Sequence, residues 1–207
     1  LVRASIKTTG PYGGNSESDA GGVVCSLGNA NVINCYNTGE VSVNSGHFGG
    51  VVGVIGYAST EYKSIANLYN TGNVHWHSSG QYRDAMGSII GNATRYITIS
   101  NSYFTSSPPA YTTAGSTYGY PSVSNVSKLT AAQLQGYANT LGSANWVTDI
   151  YGINDGYPIL RWQVPTIEFD KKQVYMNAGE TLQLNLNTSK FIAAHSMGVV
   201  TYTSDKL

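Results

Sequence analysis

The sequence predicts an all-β protein whose main part is a parallel β-helix or solenoid of Gly-rich repeats. Two observations support this fold class: two short motifs alternate three times along the chain, and the composition suits short strands joined by tight turns. The 207 residues include 24 glycines and 16 tyrosines. Glycine tolerates positive φ in turns, and tyrosine suits a half-buried strand. An antiparallel β-sandwich is the alternative architecture.

The first motif is a Gly-bracketed apolar run. It occurs at residues 21–25, 49–53 and 87–91 as GGVVC, GGVVG and GSIIG. Glycine inside such a run indicates that the chain bends or that another backbone approaches closely. Each copy therefore predicts a short, buried β segment.

The second motif follows each copy of the first. It reads NCYNTGEV at 34–41 and NLYNTGNV at 67–74, with a degenerate third copy, NSYFT, at 101–105. An aliphatic residue two positions earlier completes an aliphatic–x–Asn–x–Tyr row. Because residues two apart share a face of a strand, we expect these three side chains to lie in a row.

Stacked copies of this motif place like residues on like. We expect an amide ladder and a ring stack, formed by Asn34, Asn67 and Asn101 and by Tyr36, Tyr69 and Tyr103. The Asn-Thr-Gly that follows in the first two copies predicts a turn whose glycine is free to take the left-handed conformation. A single repeat has too little apolar surface to fold alone, so the copies must pair with one another.

The C-terminal half changes character. Residues 108–126 read as a loop, and Thr130 predicts the N-cap of a short helix over 131–135, with a capping box from Gln133. Asn154-Asp155-Gly156 predicts a hairpin turn in an aromatic-rich segment. We therefore expect repeats over 1–127, a capping segment over 128–164 that protects the end strand, and a partial β-sandwich over 165–207.

Composition excludes several classes of function. Charged residues make up 11% of the chain and the formal net charge is zero, which leaves no basic stripe for nucleic acid. The longest apolar stretch, 48–58, is interrupted by glycines and is shorter than the roughly 18 residues of a membrane span. The chain starts without Met or a signal peptide, which predicts a piece of a longer protein. We expect a monomer that binds no nucleic acid and spans no membrane.

Candidate sites are few. The acidic residues are scattered, so we predict no catalytic residues and no cofactor. His75 and His77 lie two apart on one predicted strand and are weak candidates for metal ligands. No carboxylate or Cys partner is nearby in sequence, so we favour a solvated strand end and predict no metal site. The tyrosine-rich stretch offers Tyr111, Tyr118 and Tyr120 as residues that stack on a sugar or contact a protein.

The two cysteines match no zinc or redox spacing. They are predicted to be small buried apolar residues. A disulfide between Cys25 and Cys35 fits an exported protein, but their spacing does not establish one.

The alternating motifs resemble the GLUG repeat of bacterial secreted and cell-wall proteins, including regions that flank some immunoglobulin A-cleaving proteases. The resemblance covers about residues 20–105, and 129–162 looks like the segment that closes such repeats. Residues 165–207, with AGET at 178–181 and VTYTSD at 200–205, resemble the opening of a bacterial immunoglobulin-like (Big) domain. These resemblances imply an extracellular or cell-wall-attached protein and carry no catalytic residues to transfer.

The function expected from these observations is that of a non-catalytic structural or adhesive repeat segment of a bacterial surface protein. Its partner would be a host or cell-wall glycan or protein. A carbohydrate-binding module is the first alternative. An accessory region of a secreted protease or polysaccharide-degrading enzyme is the second.

Overall fold

The computed structural model describes residues 6–7, 19–44, 46–55, 62–76, 83–93, 96–113 and 120–164. Most of them lie in β-strands, with short helices only after residue 130, so the predicted all-β class is confirmed. The segment 165–207, for which a partial sandwich was predicted, lies outside the described residues.

The strands up to residue 128 are short. They are β1 (Ile6–Lys7), β2 (Ala20–Gly21), β3 (Val24–Leu27), β4 (Val32–Asn37), β5 (Val41–Val43), β6 (Gly46–Gly49), β7 (Val52–Ile55), β8 (Lys63–Asn70), β9 (Val74–Trp76), β10 (Arg83–Gly87), β11 (Ile90–Asn92), β12 (Ile97–Phe104), β13 (Tyr111–Thr112) and β14 (Ser122–Lys128).

These strands form four parallel sheets. Sheet I has the order β1-β5-β9, sheet II β10-β6-β2, sheet III β13-β11-β7-β3 and sheet IV β14-β12-β8-β4. From β2 to β12 the chain visits sheets II, III, IV and I in that order and then returns to sheet II. Parallel pairing of each strand with its equivalent in the next repeat fits a parallel β-helix.

The register places equivalent residues beside one another, as the repeats predict. In sheet IV, Val32 pairs with Ile65 and Ile65 with Ile99; the tyrosines four positions later pair in the same way. The motif copies are therefore structurally equivalent and not merely similar in sequence.

The Gly-bracketed run is a bend between two strands and not the single β segment that was predicted. In the second repeat β6 ends at Gly49, the chain bends at 50–51, and β7 begins at Val52. A Cβ on Gly50 would overlap the Ser88 carbonyl and the Asn70 amide. The expected close backbone approach is confirmed, because the bends of successive repeats lie directly against one another.

A buried row of polar side chains, here called the inner ladder, runs through these bends. The Asn37 Nδ2 donates to Asn70 Oδ1 at 2.9 Å, and the Asn70 Nδ2 to Ser106 Oγ at 3.3 Å. Ser106 in turn donates to Ser88 Oγ at 2.8 Å. Gly50 leaves room for the Asn70 amide, whereas in the third repeat Ser88 stands in the place of that glycine and bonds Ser106. The two sequence motifs thus touch each other inside the fold.

The same asparagine closes the Asn-Thr-Gly turn. The Asn70 Oδ1 accepts from the Gly72 amide at 3.2 Å and its Nδ2 donates to the Gly72 carbonyl at 2.9 Å. Gly72 does not use the left-handed conformation that is open to glycine, since its φ is not positive. Glycine is required instead because a Cβ at Gly72 would overlap the Gly39 carbonyl of the preceding repeat.

The left-handed residues are the asparagines at the middle of each strand of sheet IV. Their φ values are 55° for Asn34, 57° for Asn67, 44° for Asn101 and 54° for Asn125. Each amide donates to the one before it, with N···O distances of 3.3, 3.3 and 2.8 Å along the row. The predicted amide ladder, here called the outer ladder, is confirmed and extends one repeat further, to Asn125. Asparagine suits this position because its short polar side chain tolerates positive φ.

This conformation overturns the expected row of aliphatic, amide and ring on one face. Ile65 and Leu68, three apart, both belong to the interior apolar cluster between sheets III and IV. Tyr69 belongs to a different cluster on the outer side of sheet IV. The left-handed Asn67 interrupts the strand alternation, so residues before and after it follow different inward and outward patterns.

The region after the third repeat differs in part from the prediction. Two strands, β13 and β14, lie within or overlap the stretch that was read as a loop, and they add a fourth layer to sheets III and IV. Helix α1 (Ala131–Gln135) begins at the Thr130 N-cap with the expected capping box. A second helix, α2 (Ala138–Gly142), was not predicted.

The closing segment ends in an antiparallel pair, β15 (Trp146–Val147) with β16 (Ile159–Leu160), and a 3-10 helix, Arg161–Gln163. The predicted turn at 154–156 has positive φ at Asp155 and Gly156. It is the tip of a long connection over 148–158 and not a two-residue hairpin turn, because Asp149 holds that connection in a folded loop of its own.

Candidate functional site

The outer side of sheet IV carries the aromatic residues of the repeats. Tyr36 and Tyr69 stack with ring centroids 4.9 Å apart and an interplanar angle of 11°. Tyr103 instead meets Tyr137 edge-to-face at 4.9 Å. The predicted ring stack is therefore confirmed for the first two tyrosines, while the third packs against the closing segment.

The closing segment covers this aromatic row. Trp146 is buried and lies 5.9 Å from the Tyr36 ring and 5.5 Å from the Tyr69 ring. Its indole Nε1 donates to Asn34 Oδ1 at 3.2 Å, at the first rung of the outer ladder. One side chain thus joins the closing segment to both the ring row and the amide row.

Polar groups of the closing segment satisfy the hydroxyls of the two stacked tyrosines, Tyr69 and Tyr36, whereas the buried Tyr103 hydroxyl has no partner among the described residues. The Tyr69 hydroxyl donates to the Pro158 carbonyl at 2.6 Å and accepts from Asn154 Nδ2 at 2.6 Å. Burial, reinforced by Tyr36, raises the pKa of Tyr69 far above its ordinary value. The hydroxyl therefore stays protonated and keeps its donor role. The Tyr36 hydroxyl lies 2.9 and 3.2 Å from the two amide atoms of Gln163.

A buried carboxylate organises the loop between β15 and β16. Asp149 accepts backbone N–H groups from four residues of the loop, at distances of 2.6 to 3.3 Å: Tyr151, Ile153, Asn154 and Gly156. Hydrogen bonds to a charged acceptor are stronger than neutral ones, so the carboxylate fixes the loop that presents Asn154 and Pro158 to Tyr69. The Asp149 carboxylate therefore accepts hydrogen bonds from its own loop.

The closing segment was expected to protect the end strand of the stack, but it does not. It contacts residues of β4, β8 and β12 from the side. Strand β14 remains the outer strand of sheet IV among the described residues, and most of its residues are exposed. The expectation was wrong because the aromatic row, and not the strand edge, offers the apolar surface that the closing segment needs.

An open cleft of about 450 Å³ lies where the closing segment meets the first repeat. Six residues line it: Asn34, Ala144, Asn145, Leu160, Arg161 and Trp162. The Arg161 guanidinium donates through Nε and Nη2 to the carbonyls of Ala144 and Ser143. Trp162 is 78% exposed, although it stands beside well-packed residues.

This cleft was not predicted from the sequence. Trp162 was assigned to the cap, and the distance along the chain from Asn34 to Trp162 hides their proximity. The available signal was a third tryptophan at the end of a segment that already contained a buried one, Trp146.

The tyrosines predicted to bind a sugar or protein do not form one surface in the described structure. Tyr111 is half-buried in β13 and packs against the interior cluster. Tyr120 is 69% exposed just before β14. Tyr118 lies outside the described residues. Of the three, Tyr120 alone combines a described position with a largely accessible ring.

The candidate metal pair is described only in part. The His75 Nδ1 lies 3.1 Å from Asn73 Nδ2, and its Nε2 lies 3.8 Å from Glu40 Oε1. His77 lies outside the described residues. Within the described ranges no group of three or more His, Cys, Asp or Glu side chains is close enough to hold a metal ion.

A second polar cluster joins the first repeat to the second. The Asp19 carboxylate accepts from the His47 amide at 3.2 Å and lies 3.1 Å from its ring Nδ1, and the Cys25 thiol donates to the Asp19 carbonyl at 3.1 Å. Burial, and then the Asp19 charge, raises the pKa of Cys25. A thiol with a raised pKa is a poor nucleophile at neutral pH.

The prediction of two buried cysteines holds for neither residue. Cys25 is exposed and Cys35 is half-buried, and both are free thiols. Burial raises the pKa of Cys35 as well.

Comparison with known families finds a match within the repeats. A family model of the GLUG motif matches residues 16–43, which span the first repeat. No curated protein and no solved structure matches the chain. Nothing in these comparisons supports the immunoglobulin-like resemblance of 165–207. Among the described residues, no helix is long and apolar enough to cross a membrane.

Proposed function

We propose that this chain is a non-catalytic repeat segment of a bacterial surface protein, in which a β-helix forms a stiff structural element that spaces or displays other parts of the protein. The GLUG match supports the surface context, since GLUG motifs occur in bacterial surface proteins. The proposal places the segment outside the cell or on the cell wall.

The structural role is supported by the side chains that recur at equivalent positions of successive repeats. Equivalent positions of successive repeats hold aliphatic residues, tyrosines and asparagines that bond one another. These are side chains that pack and stack. Catalysis on a β-helix would instead draw on titratable side chains gathered on one face.

The surface role is tested in the bacterium that encodes the chain. An epitope tag placed beside Gly28, which has open space around its Cα, should be accessible to antibody on intact cells. Brief protease treatment of those cells should remove the signal, whereas a tagged cytoplasmic protein should survive it. Labelling only after lysis would contradict the surface assignment.

The non-catalytic role is tested with the purified chain. Incubation with a panel of bacterial and host polysaccharides and with peptide substrates should give no turnover above a heat-denatured control. Reproducible turnover that is lost when His47 is replaced by Ala would overturn the proposal, because His47 and Asp19 form the pair most similar to a catalytic arrangement in the described residues.

A further inference from the structure

The open cleft beside Trp162 has the volume of a small-ligand site. Its volume of about 450 Å³ falls within the roughly 300–1,000 Å³ typical of such sites. It lies between two rigid elements, the first strand of the outer ladder and the 3-10 helix that ends the closing segment. A ligand bound there would contact the repeats and the closing segment together.

Trp162 provides an exposed aromatic face on a fixed backbone. The 3-10 helix is held by a bond from the Leu160 amide to Gln163 Oε1 at 2.8 Å and by one from the Val164 amide to the Arg161 carbonyl at 3.2 Å. The indole itself is left 78% exposed. An aromatic ring presented on a rigid element gives a large contact area at low entropic cost, which suits stacking on the C–H face of a sugar ring.

Side chains with unused hydrogen-bond donors line the same cleft as that ring. Asn34 Oδ1 already accepts from Asn67 Nδ2 and Trp146 Nε1, so its amide is fixed with Nδ2 unused among the described residues. The Asn145 side chain makes no hydrogen bond within the described part of the chain. Arg161 uses Nε and Nη2, which leaves Nη1 available.

The charge of the cleft is positive. Arg161 is the one charged residue among the six that line it. The unused groups are amide and guanidinium donors, so the complementary ligand is rich in acceptors and carries negative charge. Planar donors beside an aromatic face match the hydroxyl and carboxylate groups of an acidic sugar better than they match a peptide.

We propose that this cleft binds a short glycan through a carboxylate-bearing pyranose, with the ring stacked on Trp162 and the carboxylate held by Arg161 and Asn34. This inference goes beyond the proposed structural role, because a spacer needs no ligand. Failure of the binding test would leave the surface and spacer assignments unchanged.

The test uses the whole chain and a hyaluronan tetrasaccharide, whose glucuronic acid rings carry carboxylates, with chitotetraose as the neutral counterpart. Calorimetry should show saturable binding of the acidic tetrasaccharide, and the neutral one should bind at least about fivefold more weakly. Replacing Trp162 with Ala should weaken the acidic interaction about tenfold or more, since ring stacking is lost. Because Trp162 is exposed, this variant should keep the wild-type circular dichroism spectrum.

Two further variants separate the cleft from general effects. Asn34→Asp keeps an acceptor for Trp146 and a residue that tolerates positive φ, but it removes Nδ2 and adds a negative charge. It should weaken the acidic tetrasaccharide about tenfold while leaving chitotetraose unaffected. Tyr120→Ala removes an equally exposed ring outside the cleft and should bind as wild type.

Three results would overturn the proposal. The first is no saturable binding by the wild-type chain at millimolar tetrasaccharide. The second is equal affinity for the acidic and neutral glycans, which would remove the carboxylate assignment. The third is unchanged binding by folded Trp162→Ala and Asn34→Asp variants, or a loss in Tyr120→Ala as large as in Trp162→Ala, which would place the glycan elsewhere on the chain.

Discussion

Asn70 is the residue whose loss should reveal how the repeats hold together. Its side chain is fully buried and makes four hydrogen bonds: two with the backbone of Gly72, one from Asn37 and one to Ser106. Replacing it with Ala removes all four. Two of the former partners, the Gly72 amide and carbonyl, are left in a buried turn without the side chain that satisfied them.

The size of the effect follows from these contacts. A hydrogen bond contributes about 1 kcal/mol net, and a buried group left unsatisfied costs about 1–3 kcal/mol. Asn37 and Ser106 keep other partners, Gly39 and Ser88, so their losses lie at the low end. Asn70→Ala should therefore lower the free energy of unfolding by about 4 kcal/mol.

Urea unfolding, followed by fluorescence of the buried Trp146, measures this change. With a slope of about 2 kcal/mol per molar urea, the midpoint should fall by about 2 M. Asn73→Ala is the matched control, since Asn73 is exposed three residues further along the same turn. It should shift the free energy by less than about 0.5 kcal/mol. Midpoints for Asn70→Ala and Asn73→Ala that agree would refute the view that the inner ladder stabilises the stack.

Three other predictions concern single positions. Asn67→Ala should destabilise the chain by about 1–2 kcal/mol more than Asn67→Gly, because a φ of 57° is strained for alanine and unstrained for glycine. Equal urea midpoints for the two variants would contradict this. Gly50→Ala should give little folded protein, as judged by circular dichroism and solubility, whereas Gly28→Ala, whose Cβ meets open space, should fold normally. Alkylation of Cys25 should be slower at pH 7 than that of a model thiol and should accelerate only at a pH above the ordinary thiol pKa, because burial raises its pKa; a rate equal to the model thiol would refute the assignment.

Features in which equivalent residues of successive repeats lie side by side could be predicted from the sequence. The register of Val32, Ile65 and Ile99 follows directly from the repeat spacing, and so do the first three asparagines of the outer ladder. The capping box at Thr130 was also predictable, since its partner, Gln133, is three residues away. In each case the interacting residues are either local or related by the repeat.

The left-handed asparagines were not predicted, although the sequence carries the signal. A regular strand was expected, and the glycine of the Asn-Thr-Gly turn was the residue considered free to take a positive φ. The structure places it at Asn67 and its equivalents, where the same amide also bonds its neighbours. An asparagine that recurs within an otherwise β-branched and aromatic strand indicates a backbone role as much as a side-chain one.

The contact between the two motifs could not be read from either motif alone. Gly50 lies in the bend between β6 and β7, and Asn70 lies at the end of β8. Their contact appears only when the bend between sheets II and III lies over the turn after sheet IV. The third repeat supports this relation, because Ser88 replaces the glycine and bonds Ser106 instead of an asparagine.

The cleft was unpredictable for the same reason. Its lining comes from the first repeat, from the turn after α2 and from the end of the closing segment. These parts meet only in the folded chain, where Trp146 and Gln163 contact the first repeat.

The side-on position of the closing segment changes how the stack should behave as a whole. In a one-dimensional array each repeat contacts only its neighbours, so unfolding can begin at an end and proceed repeat by repeat. Here Trp146 touches Tyr36 of the first repeat and Tyr69 of the second, while Tyr137 touches Tyr103 of the third. Fraying of any one of these strands must also disrupt the closing segment that stabilises the other two. The closing segment therefore couples the three repeats into one cooperative unit, which suits an element that has to hold its shape.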